Sequence, residues 1–120
     1  MSEEPQNPAE AARALWEIDQ NATAVRLELK VLRKKLPALN KVHRVTYARA
    51  LLESEGPMDV RKQQAVIASA DALFAKEACE QEMEACKDHL WEFVRRAENV
   101  RAINSNLKEE IRTFGSRYET

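Results

Sequence analysis

Between Gly56-Pro57 and Gly115 lies a stretch, Asp59 to Phe114, with no Pro and no Gly. Along much of it apolar or small residues recur at alternating steps of four and three: Cys79, Met83, Cys86, Leu90, Phe93, Ala97, Val100, then Leu107, Ile111 and Phe114. That spacing puts all of them on one narrow stripe of an α-helix. At the usual rise per residue the helix is about 80 Å long. A lone helix cannot bury so thin a stripe, so the stretch demands other helices against it. One position in the series is polar, Asn104.

A second stripe precedes the first. Asn7-Pro8 has the form of a helix start, with Asn as N-cap and Pro at the first helical position. Glu10 stands where a capping box places its acid. From there Ala11, Leu15, Ile18, Ala22, Val25, Leu29, Leu32, Leu36 and Leu39 alternate four and three without error, with Trp16 flanking the seam. Pro37 lacks the amide that would bond residue 33 and crowds that carbonyl, which predicts a kink or break. Beyond Leu39 the apolar positions are Val42, Val45, Ala48 and Leu52, with three consecutive steps of three. This is the pattern of an insertion that overwinds a coiled coil.

Gly56-Pro57 ends this arm, Gly suiting a left-handed cap and Pro being unable to continue a helix. Asp59 is the expected N-cap of the long helix. The predicted fold is therefore all-α: a long antiparallel helical hairpin, coiled-coil-like and oligomeric. Its single domain spans 8–115, with a first arm 8–55 kinked near Pro37, a turn 56–58 and a long helix 59–114. Residues 1–7 are expected to be disordered and 116–120 to fray.

Composition narrows the function classes. Three Phe, two Trp and two Tyr in 120 residues leave no large globular core. Cys79 and Cys86 sit seven apart on one face, about 10 Å, too far for a disulfide within the helix. They read as small buried apolar residues in a reducing compartment. No apolar run approaches a membrane span, and the acidic start lacks the features of a signal peptide, so a cytoplasmic location is expected. There is no Gly-rich phosphate loop, no paired-Cys motif and no His/Glu/Asp cluster at ligand spacing. No catalytic residue, cofactor, metal or small-molecule substrate is expected. His43 and His89 fall far apart in the hairpin, and Glu80, Glu82 and Glu84 spread around their helix.

Charge is distributed unevenly, although the net is only −1. Residues 26–49 hold eight basic side chains, Arg26, Lys30, Arg33, Lys34, Lys35, Lys41, Arg44 and Arg49, against Glu28 alone, a balance of +7. Residues 71–92 hold seven acids against Lys76 and Lys87, a balance of −5. A hairpin pivoting near residue 57 or 58 places residue i opposite about 115 − i, which lays the two segments side by side. Arg33 then flanks the seam with Glu80, and Lys35 with Glu82. The basic segment can serve that pairing alone, or it can bind a phosphate backbone. For the second role Lys30, Lys34 and Lys41 share an outward face, Arg44 and Arg49 lie nearer the tip, and Tyr47 between them is placed to stack on a base.

At the far end, Asn104 falls at an inner heptad position. A polar residue there fixes register and oligomer state when it meets its counterpart in another chain. The alternative is that Ile103 takes the seam and Asn104 turns outward. Residues beyond about 107 have little of the first arm to pair with, so Asn104, Leu107, Ile111 and Phe114 form the expected homo-oligomer interface.

The order of parts resembles the phage recombination-mediator (UvsY-like) family. A basic helical region runs into Tyr47-Ala48-Arg49-Ala50-Leu51, then Ser54 and Gly56. A helical segment with Val66, Ala70-Asp71 and Leu73 follows, and the chain closes with Ala102-Ile103 and Ile111-Arg112-Thr113-Phe114. The family carries Lys-Ala-Arg-Leu before its Tyr, Ser and Gly, and its Lys and Arg are associated with DNA binding. Arg49 matches the Arg, Tyr47 stands in place of the Lys, and the connecting loop is shorter here. The resemblance implies a homo-oligomer in the host cytoplasm that binds single-stranded DNA and works with a recombinase and a single-strand-binding protein. It also implies self-association through the C-terminal segment. The other reading of the same residues is a coiled-coil adaptor or scaffold with no nucleic-acid role.

Overall fold

A computed structural model describes residues 4–117. It contains α1 (Pro8–Glu53), α2 (Met58–Ala68) and α3 (Ala70–Arg117), with no strand among the described residues. The helical hairpin is present, with α1 packed against α3. The chain divides into two compact units, one joining Met1–Arg26 to Asp88–Thr120 and the other comprising Leu27–Lys87.

In the first unit the start of α1 is built as the sequence requires. The Glu10 amide donates to Asn7 Oδ1 at 2.9 Å, and the Ala11 amide to the Asn7 carbonyl at 3.0 Å. The Glu10 carboxylate reaches back one residue further than the usual box, accepting from the Gln6 amide at 2.7 Å. Gln6 and Asn7 thus carry these cap bonds, whereas residues 1–3 of the expected disordered stretch lie outside the described residues. Ala11, Ala22 and Val100 are buried, and Leu15, Ile18, Val25, Leu90, Phe93 and Ala97 are half-buried around them. Leu15, Ile18 and Ala22 line one cleft with Leu90, Phe93 and Val94, which sets the local register. Past Val100, Ile103 and Asn104 are both half-buried, so the two contenders for the seam share it. α3 continues through Gly115 to Arg117. Of the tail expected to fray, 116–120, residues 118–120 lie outside the described residues.

The second unit has three helices rather than two. The expected uninterrupted helix from residue 59 is broken at Ser69, between α2 and α3. The Ser69 hydroxyl donates to the Ala65 carbonyl at 2.8 Å, and both residues are buried. A serine bonded back by one turn competes with the helical amide and bends the chain. Asp59 does not cap α2; that position is Pro57, without a side-chain cap bond, and Asp59 lies in the first turn. Gly56 has φ +110°, the positive value for which glycine was expected there.

Leu29, Leu32, Cys79 and Cys86 are buried along the seam of this unit. The Cys79 thiol donates weakly to the Leu32 carbonyl at 3.5 Å. That contact is one helical turn from the expected partner, residue 36. The reason is the turn: α1 stops at Glu53 and α2 begins at Met58, so the pivot lies at about residue 55 or 56.

α1 runs through Pro37 as one helix, not as two helices meeting there. The consequence is a correction to the seam. Because the chain is not re-phased at Pro37, the buried face continues from Leu36 and Leu39 to His43, Thr46 and Ala50, all half-buried, at alternating steps of three and four. Val42, Val45, Ala48 and Leu52, expected in the seam, are all exposed. Apolar character alone suggested their phase; helical continuity decided otherwise.

Candidate nucleic-acid interface

Every basic side chain of residues 26–49 lies on α1 and is exposed. The ion pairs among the described residues are Lys76–Glu80 at 3.8 Å, Lys87–Glu84 at 3.0 Å and Arg112–Glu109, each within α3 and one turn apart. The expected pairs of Arg33 with Glu80 and of Lys35 with Glu82 are not formed. Glu80 is taken by Lys76, a partner on its own helix that needs less ordering of long side chains. From residue 29 to residue 52 there are seven Lys or Arg and no acid.

Helical phase sorts these seven. With Leu29, Leu32, Leu36 and Leu39 defining the buried side, Lys30, Lys34 and Lys41 project away from it. Lys35 and Arg49 lie on one flank, Arg33 and Arg44 on the other. Tyr47 is half-buried on the seam side, beside His43 and Thr46, and does not join the outward row. The outward row itself therefore carries charge without an aromatic side chain.

The tip is braced by an arginine that the charge count did not single out. Arg61 of α2 donates from Nε at 3.2 Å and from Nη2 at 2.8 Å to the Leu51 carbonyl in the last turn of α1. A guanidinium at a helix C-terminus satisfies an orphan carbonyl and complements the dipole. No pattern in the sequence marks this contact, because it depends on where α2 turns back.

At the other candidate site, in the first unit, Leu107 is half-buried while Ile111 and Phe114 are exposed. Asn104 Oδ1 is shielded from solvent and has no hydrogen-bond donor. A buried acceptor left so costs roughly 1–3 kcal/mol.

The thiols are free and buried. Burial raises the Cys86 thiol above its ordinary pKa, and the Glu28 and Glu82 carboxylates add to the effect. A thiol held neutral in this way is a packing group rather than a nucleophile. Among the described residues no group of three or more His, Cys, Asp and Glu is placed to hold a metal ion. No helix among them is long and apolar enough to cross a membrane.

Compared with known proteins, the chain matches no family model, no curated protein and no solved structure.

Proposed function

We propose that this chain is a non-enzymatic, cytoplasmic accessory protein that binds single-stranded DNA as a homo-oligomer, the recombination-mediator role being its specific form. The observation that carries the reading is the acid-free basic segment of α1, an outward row of three lysines with an arginine on each flank. Lys30, Lys34, Lys41, Arg44 and Arg49 are exposed, and the acids of the hairpin do not neutralise them within ion-pair distance. Five cations without an ion pair among the described residues, along about five turns, match the contact a flexible phosphate chain needs, and counterion release supplies the driving force. Tyr47 contributes no stacking in this arrangement, so binding is electrostatic and indifferent to base sequence. Repetition of the row in an oligomer, joined through Leu107 and Ile111 with Asn104, raises weak contacts to useful avidity. A recombinase and a single-strand-binding protein are the partners that the mediator form requires.

The test is a titration of a fluorescent single-stranded oligonucleotide at two salt concentrations. With five contacts per protomer, log affinity falls against log salt with a slope of about −3.5. The Lys30→Glu, Lys34→Glu, Lys41→Glu variant loses binding while keeping its helicity and oligomer size. No binding at about 50 mM salt, or binding with no salt dependence, overturns the reading. A second reading, a helical adaptor for a protein partner, is favoured by a separate feature of the same helix.

A further inference from the structure

The apolar residues displaced from the seam are not scattered. Val31, Lys35, Ala38, Val42, Val45, Arg49 and Leu52 succeed one another at steps of four, three, four, three, four and three. All seven are exposed, and all lie on the part of α1 within the Leu27–Lys87 unit. They form a second heptad stripe, about 100° around the helix from the buried one. The exposures of its large members are 63% for Val31, 54% for Val42, 42% for Val45 and 79% for Leu52. A helix with two such stripes is shaped for two helical neighbours. α3 supplies one; among the described residues nothing covers the other.

We infer that this second stripe docks an acidic amphipathic helix of a partner protein. Charge complementarity selects the occupant. The stripe holds Lys35 and Arg49 and is bordered by Lys34 and Lys41, with Lys30 one position further round and no acid between residues 29 and 52. None of these five cations is ion-paired among the described residues. A partner helix with apolar inner positions and Glu or Asp at its flanks meets both features at once. A second copy of α1 would bring the same cations against these, a repulsive pairing. A lipid surface suits bulky wedges, whereas this stripe is built of three valines, one leucine and Ala38, the small residue that lets two helices approach closely. Single-stranded DNA uses the cations but has no need of the apolar ladder between them. Partner helix and DNA draw on the same lysines, so binding of one excludes the other.

The experiment uses the full chain and a fluorescent synthetic helix of about 28 residues, Leu and Ile at its inner heptad positions and Glu at their flanks. A control peptide keeps the composition and charge but scrambles the heptad order. The ordered peptide is expected to bind at least about tenfold more tightly than the scrambled one. The Val31→Gln, Val45→Gln variant loses about tenfold or more for the ordered peptide, with unchanged helicity and unchanged oligonucleotide affinity. Equal binding of both peptides, or no effect of the variant, overturns the proposal, because only charge is then being read. Two further results also overturn it by naming another occupant. One is sedimentation that depends on concentration in the wild type and not in the variant, which assigns the stripe to a second copy. The other is partition onto anionic phospholipid vesicles that the variant abolishes. Peptide binding is measured without DNA, so failure of the single-stranded DNA reading leaves this result interpretable.

Discussion

Leu32 and Leu52 are both leucines of α1, and a stripe drawn only through apolar residues treats them alike. The structure separates them: Leu32 is 6% exposed and Leu52 79%. Replacing leucine by alanine removes three carbon groups, worth about 2.4 kcal/mol when fully buried. At Leu32 nearly all of this is lost, and the space left between α1 and α3 adds a cavity term, for about 2.5–4 kcal/mol in total. At Leu52 only about a fifth applies, roughly 0.5 kcal/mol, and the better helix propensity of alanine offsets part of it. Urea unfolding followed by circular dichroism, at several protein concentrations, gives both values. A Leu52→Ala cost comparable to that of Leu32→Ala in the concentration-independent regime refutes the reasoning. It means that the buried face does re-phase after Pro37 and that the second stripe does not exist as a free surface.

Three other outcomes follow from single residues. Asn104→Leu removes a shielded acceptor that has no donor among the described residues, and raises the stability of the dissociated protomer, at low protein concentration, by about 1–2 kcal/mol in thermal or urea unfolding; at concentrations where the proposed oligomer forms, Asn104 of a second copy satisfies it and the gain disappears, so a gain independent of concentration counts against Asn104 in the interface. Gly56→Ala costs roughly 1–2 kcal/mol in the same assay, entirely through the backbone at φ +110°, since the added methyl meets only Val60 Cγ1 at 4.0 Å. The Cys86 thiol is raised on folding, chiefly by burial, so its contribution is complete below the unfolded thiol's pKa of about 8.5 and is lost as pH rises through the folded value. Between pH 7 and pH 10 the wild type should therefore lose stability faster than Cys86→Ala, and parallel slopes count against the assignment.

Local chemistry made much of this molecule legible. Asn7, Pro8 and Glu10 mark the start of α1 because a cap is built from neighbours in the chain. Gly56-Pro57 marks its end for the same reason. The stripe from Ala11 to Leu39 and that from Cys79 to Val100 are buried or half-buried as their heptad spacing requires, since the helical period alone puts them on one face. The basic row was equally plain, being a matter of composition along one helix.

Contacts between distant segments decided the rest. Whether Pro37 resets the phase depends on what α1 packs against, and the packing held the phase, turning His43, Thr46 and Tyr47 inward and Val42, Val45 and Leu52 outward. The Arg61 brace on Leu51 depends on how α2 is laid against α1. The charge segments that looked paired are not in ion-pair contact, because opposite charges on neighbouring helices still need side chains of the right reach, and Lys76 lies closer to Glu80 along its own helix. Periodicity states which residues can share a face; only packing states which face is covered.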